Sequence, residues 1–204
     1  MSAKTPHHED LHWHEHYDRN FSWFDYFGNM NAHRALLWSV LRERPRRVLE
    51  VGAGSGTMSV FLSYFTKEAL ALDNNEKVLA QCRYHNEKFK GSARFVKGDA
   101  FKMPFPAQHF DVAFSQGLLE HFGVKDIIKI LDEQLRVARV VVFSVPNSDY
   151  HDESVGHENR WSRESWEHIL KKYRQRQSVN YGRAALSCFL NKPGQYLAKI
   201  EARW

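Results

Sequence analysis

The sequence has few cysteines and no long apolar run, and each shortage excludes a class of protein. Only two cysteines occur among its 204 residues, Cys82 and Cys188, and their spacing matches no paired zinc or redox motif. We therefore expect reduced, structural thiols, neither of them a nucleophile. No stretch approaches the roughly 18 apolar residues of a membrane helix, and the opening MSAKTPHHED lacks the apolar centre of a signal peptide. These absences predict a cytoplasmic protein without a membrane partner.

Internal repeats and low-complexity linkers are also absent, which together with the length favours a single domain over residues 1–204. Hydrophobic residues make up 43% and aromatic residues 14% of the chain, enough apolar surface for an ordered core. The formal net charge is +5, and ten Lys or Arg against three Glu lie between residues 160 and 204. That basic surface can steer an anionic substrate or a nucleic acid toward the protein, although a solvated basic face without a partner explains it equally well.

From Arg46 onward, short β-branched runs alternate with helical patterns, as in a parallel sheet wrapped by helices. The runs are continuous rather than alternating, which is typical of strands buried on both faces. They read RRVLEV (46–51), ALALDN (69–74), ARFVKGD (93–99), FDVAFSQ (110–116) and ARVVVFSVPN (138–147), and QYLAKIEARW (195–204) predicts a closing strand.

Apolar stripes predict the intervening helices. Residues 31–43 are helical in pattern, and Ser162 is placed to cap a later helix. The aromatic residues within 11–27 either pack over the ligand-bearing edge of the sheet or belong to an ordinary core helix. The stripes themselves comprise Val78, Leu79, Cys82 and Phe89; Ile127, Ile128, Leu131 and Leu135; and Trp166, Ile169, Leu170 and Tyr173.

A glycine-rich turn follows the first strand, in the stretch VLEVGAGSGTM (48–58). In a doubly wound sheet, ligands bind where the first strand turns into the first helix, and glycines let backbone amides approach them. The spacing G-x-G-x-G differs from the dinucleotide fingerprint G-x-G-x-x-G, and no Gly-Lys-Ser/Thr completes a Walker loop. Glu50 adds a carboxylate that would repel a pyrophosphate and attract a cation.

Two further carboxylates end the next strands, Asp73 and Asp99. By the logic of dinucleotide sites, Asp73 is placed to accept hydrogen bonds from ribose hydroxyls. A nucleoside with vicinal hydroxyls and a cationic, phosphate-free tail fits these positions better than NAD, and S-adenosylmethionine is such a molecule. Each carboxylate could instead merely cap the helix that follows it.

With VLEVGAGSG, ALDNN, VKGDAFKMPFP and FDVAFSQGLLEHF in that order, the chain resembles the class I S-adenosylmethionine-dependent methyltransferases over residues 46–147. The resemblance implies an enzyme with S-adenosyl-L-methionine as cofactor. It also implies a Rossmann-like α/β fold, with a mostly parallel seven-stranded sheet, helices on both faces and an antiparallel last strand. Residues 1–45 would then be a helical cap, 46–147 the cofactor-binding core, and 148–204 an acceptor-side lid with the closing strands.

The resemblance also assigns roles to single residues at the cofactor site. Glu50, Gly52 and Gly54 would line the methionine end, with Glu50 near the ammonium directly or through water. Asp73 would hold the ribose hydroxyls, and Asn74 would flank the adenine.

At the far end of the cofactor, Asp99 would accept a hydrogen bond from the exocyclic amine, and the Ala100 amide would donate one to the adenine. Gln116 and Gly117 would approach the methionine portion and face the substrate.

Candidate acceptor-side residues follow the fourth and fifth strands. His121 is placed to act as a general base for a hydroxyl or ammonium acceptor, or only to shape the pocket. The polar stretch 145–162 is placed as an acceptor lid or as a solvated connection with a helix cap, and its candidate contacts are His151, His157, Glu158 and Trp161. We predict no metal site, because His12, His14 and His16 alternate and would not share a helix face.

The acceptor class is narrowed by motifs that are missing. The motif Asn/Asp-Pro-Pro-Tyr/Phe, with which many base-amino methyltransferases hold a nucleobase, does not follow the fourth strand. The Pro-Cys nucleophile needed for methylation of a cytosine carbon is also absent. A small-molecule acceptor is therefore favoured, and the basic C-terminal part makes an anionic one attractive. An RNA or protein methyltransferase, a non-catalytic nucleoside-binding domain and an NAD-dependent oxidoreductase remain alternatives, and the oligomeric state is open.

Overall fold

A computed structural model describes residues 21–148, 158–181 and 194–202. Seven strands and six α-helices lie in these ranges, and none of the helices is long and apolar enough to cross a membrane. The helices are α1 Trp23–Ala32, α2 Arg34–Leu41, α3 Thr57–Leu62, α4 Glu76–Lys88, α5 Val124–Val137 and α6 Arg163–Ile169. The strands are β1 Arg47–Val51, β2 Glu68–Asp73, β3 Arg94–Lys97, β4 Phe110–Gln116, β5 Ala138–Pro146, β6 Arg174–Tyr181 and β7 Gln195–Glu201.

The strands form one sheet in the order β3-β2-β1-β4-β5-β7-β6. The first five strands are parallel, β7 runs antiparallel to β5, and β6 runs antiparallel to β7. The predicted Rossmann-like sheet with an antiparallel last strand is therefore confirmed. The strand order reverses between β1 and β4, so the carboxyl ends of these strands open a crevice in which such folds bind ligands.

Both faces of the sheet are covered, as the continuous apolar runs predict. On one face α5 and α6 bury Ile127, Leu131 and Trp166 against β4 and β5. On the other face α1, α2 and α3 cover the sheet, and Cys82 on α4 is fully buried beneath the first loop. Strand positions are thus fixed by apolar contacts on two sides, which holds the strand ends in register around the crevice.

The first helix begins earlier than the predicted segment 31–43. Ser22 and Asp25 form a capping box, in which each side chain accepts a hydrogen bond from the other residue's backbone amide, and this fixes the start of α1. His33 leaves helical geometry and divides the segment into α1 and α2. Within the described part of the aromatic stretch, Tyr26 stacks on Phe89 at the end of α4. Tyr26 therefore packs against the helices, and none of residues 21–27 lines the crevice described below.

β6 is the strand that the sequence pattern did not reveal. Its residues RQRQSVNY are polar and half-exposed, because β6 is an edge strand, and its pairing with β7 shifts register between Gln175 and Gln177. The Ser162 cap of α6 is confirmed, since Ser162 Oγ accepts from the amide of Ser165.

Most of the basic C-terminal surface is paired with carboxylates. Six of the seven described Lys and Arg residues from 160 onward lie within 4.0 Å of a carboxylate oxygen: Arg160, Arg163, Lys172, Arg174, Arg176 and Lys199. Lys199 and Glu43 form the most buried of these pairs, with an Nζ–Oε1 distance of 2.9 Å and side chains 8% and 9% exposed. Most of the described Lys and Arg residues in this part of the chain therefore already have a carboxylate partner.

We expect Glu43→Gln to lower the free energy of unfolding by about 3 kcal/mol, because it leaves the buried Lys199 ammonium without its counter-charge. The matched variant Arg176→Gln removes a cation that is 39% exposed and should cost at most about 1 kcal/mol. Urea unfolding followed by circular dichroism measures both values. Equal losses in the two variants would contradict the interpretation of the Glu43–Lys199 pair.

Candidate active site

A cleft lies at the carboxyl ends of β1 to β4, where the strand order reverses. It encloses about 800 Å³, open solvent at its mouth included, which is in the range of small-molecule and cofactor sites. Its walls are formed by the loops after these strands and by the 3₁₀ turn Leu119–His121. The lining residues are Gly52, Gly54, Leu72, Asp73, Asn74, Val78, Gly98, Asp99, Ala100, Phe101, Gln116, Gly117, Leu118, His121 and Phe122.

The glycine loop depends on left-handed backbone conformations. Gly52, Gly54 and Gly56 have φ values of 79°, 49° and 70°, a region that other residues adopt only with strain. Gly56 also has no room for a side chain, since an added Cβ would lie 2.8 Å from Cβ and Sγ of Cys82. The loop is therefore pressed onto α4, and Gly52 and Gly54 present their backbone to the cleft.

The variant Gly56→Ala should lose about 3 kcal/mol of stability, because it combines left-handed strain with overpacking against Cys82. Gly123→Ala is the matched control, since Gly123 has φ −72° and an added Cβ there meets nothing within 4 Å. We expect that control to change stability by less than about 0.5 kcal/mol. Thermal unfolding of the two variants measures the difference, and a Gly56→Ala protein as stable as the control would overturn this account.

Glu50 lies behind the glycine loop, not on the cleft surface. Its side chain is 2% exposed, and Oε2 accepts hydrogen bonds from the Ser59 amide at 3.1 Å and from Ser59 Oγ at 2.5 Å. Burial raises the pKa of Glu50 to about 8 and the charge of Asp73 adds to the rise, while the Ser59 hydrogen bonds oppose it. Glu50 thus ties the end of β1 to α3 through Ser59, and its place near a ligand ammonium, directly or through water, stays a prediction.

The raised pKa of Glu50 predicts how the stability of the protein depends on pH. A buried carboxyl that holds its proton up to pH 8 binds more protons when folded than when unfolded, so its contribution falls as pH rises from about 4.5 to about 8. Glu50→Gln removes this dependence, at most about 1.4 kcal/mol per pH unit. We expect the two proteins to have similar melting temperatures at pH 5, and the variant to melt higher at pH 8.5. A constant difference across this range would refute the assignment.

Asp73 is fixed by backbone amides at the floor of the cleft. Oδ2 accepts from the Ala53 amide at 3.0 Å, and Oδ1 accepts from the Asn75 amide at 2.9 Å. Burial raises the pKa of Asp73, and these backbone hydrogen bonds oppose the rise. The cap of α4 is provided by Asn75, whose side chain accepts from the amides of Lys77 and Val78. Asp73 therefore does not cap the helix, and it lines the cleft while its carboxylate is held by backbone amides of the two loops.

The other predicted cofactor residues also reach the cleft. Asn74, Ala100 and Gln116 line it. Asp99 lines it as well and is exposed, while its Oδ1 accepts from the Phe101 amide at 2.9 Å, which makes a tight turn after β3. Asp99 thus has a turn-forming role that a ligand contact would share.

The predicted acceptor-side residues are only partly brought together. Gly117 and His121 line the cleft, whereas Trp161 does not, because its ring packs on Trp166 at 5.2 Å. Glu158 lies near the 3₁₀ turn, since the neighbouring Asn159 amide donates to the Glu120 carbonyl at 2.8 Å. His12, His14, His16, His151, His157 and Cys188 lie outside the described residues.

Six lining residues were not predicted from the sequence, and all six are apolar or glycine: Leu72, Val78, Gly98, Phe101, Leu118 and Phe122. Their place in the chain could have revealed them, since most of them stand beside a residue that was predicted. Among all fifteen lining residues there are two carboxylates and no Lys or Arg. Such a cleft suits a cationic ligand without phosphates better than a pyrophosphate, which needs cationic or amide partners along its length.

Comparison with known proteins agrees with this geometry. Residues 48–140 match the family model described as "Methyltransferase domain". The uncharacterized methyltransferase YcgJ of Bacillus subtilis is 30% identical over 120 residues, which are 56% of this chain and 47% of that protein. The ubiquinone/menaquinone biosynthesis C-methyltransferase UbiE of Azotobacter vinelandii is 31% identical over 103 residues, 48% of this chain and 39% of that protein.

Among solved structures, the PH0226 protein of Pyrococcus horikoshii aligns with a TM-score of 0.71 and 17% identity, over 92% of this chain and 93% of that one. This likeness establishes a shared fold over nearly the whole length. The curated relatives, by contrast, match through the central part only, and the chain spans less than half of their length.

Proposed function

We infer that this chain, which carries a class I S-adenosylmethionine-dependent methyltransferase domain at residues 48–140, is an enzyme that transfers a methyl group to a small-molecule acceptor. The observation on which the inference depends is the cleft at the strand-order reversal, with two carboxylates and no cationic side chain among its lining residues. S-adenosylmethionine carries a cationic sulfonium and an ammonium but no phosphate, so the charge of the cleft is complementary to it.

The residues present fit this cofactor. The Gly52 and Gly54 backbone leaves room for the methionine end, because left-handed glycines without side chains allow close approach. Asp73, held in place by backbone amides at the cleft, would accept hydrogen bonds from the ribose hydroxyls. Asn74, Asp99 and the Ala100 amide would hold the adenine, for which the apolar cleft residues Leu72, Val78 and Phe101 provide a packing surface.

Glu50 would act on the cofactor from behind the loop. Its ionised form would attract the methionine ammonium through the loop or through water, at the cost of a buried charge, and its protonated form would not. Ser59 stabilises the ionised form through its two hydrogen bonds. Glu50 is therefore a positioning residue whose charge would respond to the bound cofactor.

The bound cofactor supplies a methyl group that the sulfonium has already activated. The protein then has to align the acceptor with this methyl group and exclude water around it. Such positioning accounts for much of the rate enhancement in displacements of this kind. Gln116, Gly117 and Leu118 form the wall after β4 where the acceptor would approach. His121 closes this wall, and its imidazole is placed to take or hold the acceptor's proton.

The walls of the cleft and the relatives both support a small, largely apolar acceptor. Leu118 and Phe122 are apolar lining residues close to His121 in the chain, and the relative UbiE is named for quinone biosynthesis. The pairing of most described C-terminal cations with carboxylates weakens the argument for an anionic metabolite or an RNA. Binding of RNA that falls steeply with salt would instead favour the RNA alternative.

Calorimetric titration tests the cofactor assignment. We expect saturable binding of S-adenosylmethionine and S-adenosylhomocysteine and no binding of NAD. Asp73→Ala should weaken binding of both ligands at least about tenfold, because two hydrogen bonds to a charged group are lost. Asp126→Asn on the surface of α5 is the matched control and should bind normally. Tight NAD binding without S-adenosylmethionine binding would refute the proposal, and binding without turnover on any acceptor would leave a nucleoside-binding domain.

A further inference from the structure

Three potential metal ligands converge beside the cleft, from two distant parts of the chain. One side-chain ligand atom from each of Glu120, His121 and Glu158 lies within 4.8 Å of the other two. Glu120 and His121 belong to the 3₁₀ turn after β4. Glu158 is brought to them by Asn159, whose amide donates to the Glu120 carbonyl at 2.8 Å and whose Nδ2 donates to the Phe122 carbonyl at 3.0 Å. The convergence is therefore fixed by backbone hydrogen bonds.

The donor set has the chemistry of a first-row divalent metal site. Two carboxylates and one imidazole suit Mn²⁺, Fe²⁺ or Zn²⁺ better than Mg²⁺ or Ca²⁺, which prefer oxygen ligands alone. Two atoms bonded to one ion at about 2.0–2.2 Å lie at most about 4.4 Å apart, so the three side chains would have to close together from separations of up to 4.8 Å. Glu120 is 2% exposed and the Glu158 side chain 12% exposed, so the carboxylates are shielded from water.

The cluster borders the acceptor side of the cleft. His121 itself lines the cleft, and Glu120 Oε1 lies 3.5 Å from the position that a Cβ on the cleft residue Gly117 would occupy. An ion held here would have open coordination positions facing the place where the acceptor approaches. A hydroxyl bound to a divalent cation loses its proton more readily than one in water.

We propose that Glu120, His121 and Glu158 bind one divalent transition-metal ion, and that the acceptor presents an oxygen atom to it. Metal binding is independent of the proposed function, whereas the role toward the acceptor rests on it. As a metal ligand, His121 would use its lone pair on the ion, so the ion and not His121 would promote loss of the acceptor's proton.

The positive charge of Arg160 would repel an ion bound at this site, and this repulsion provides a test of the proposal. Its Nε lies 3.3 Å from Glu158 Oε2, so the guanidinium occupies one oxygen of a ligand and adds positive charge near the site. Removing that charge should strengthen metal binding, because like charges repel in a shielded site. A carboxylate cluster with only a structural role gives no reason to expect such a gain.

The experiment is a titration of the full chain with MnCl₂, followed by calorimetry and by the loss of the free Mn²⁺ electron-resonance signal. We expect one site, at least about tenfold weaker binding in Glu158→Gln and in Glu120→Gln, and tighter binding in Arg160→Gln. Glu87→Gln on the exposed face of α4 is the charge-matched control and should bind as the unmodified protein. Thermal unfolding identifies any variant that fails to fold, and the remaining variants then decide the result.

Several outcomes would overturn the proposal: no saturable binding, which leaves an adventitious ion only; equal affinity in Glu158→Gln and Glu87→Gln; or no gain in Arg160→Gln. Parallel titrations with S-adenosylhomocysteine separate this inference from the proposed function. If the protein binds S-adenosylhomocysteine but does not bind Mn²⁺, the metal site is refuted and the proposed function is not. If the protein binds Mn²⁺ but does not bind S-adenosylhomocysteine, the metal site is supported and its role toward a methyl acceptor is refuted.

Discussion

The hydrogen bond from the Ala53 amide to the carboxylate of Asp73 is the interaction on which the site depends. It ties the loop after β1 to the end of β2, so two neighbouring strands share one ligand-binding floor. The left-handed glycines make this contact feasible, since Gly52 and Gly56 let the chain turn tightly enough to bring the Ala53 amide to the carboxylate. Recognition of the proposed cofactor would therefore depend on backbone shape as much as on side chains.

A buried acid, Glu50, and a half-buried acid, Asp73, support the same floor with different electrostatics. Asp73 receives backbone donors and reaches the cleft, whereas Glu50 receives only Ser59 and lies behind the loop. Their charges repel each other, which contributes to the raised pKa of Glu50. A cation near the two acids would favour their ionised forms, so a cationic nucleoside would lower the raised pKa of Glu50.

Local patterns predicted the central sheet well and the flanks less well. β4 was predicted with the bounds that it has, Phe110–Gln116, because its apolar run is short and framed by polar residues. The start of α1 was missed although the Ser22–Asp25 capping box is readable in the sequence. β6 was missed because a polar edge strand has no apolar pattern, and its pairing partner β7 lies beyond a long connection. Glu158 was predicted for the acceptor side, but its proximity to Glu120 depends on a tertiary hydrogen bond that no local pattern encodes.

The bulged edge of β6 has a consequence for how the molecule meets other copies of itself. An exposed edge strand offers unpaired backbone groups to which another chain can add a strand. Here the register shift between Gln175 and Gln177 distorts that row, and the flanking Arg174 and Arg176 side chains are exposed along it. Extension of the sheet into a continuous intermolecular array is thereby disfavoured at this side, even at the high concentrations reached during synthesis.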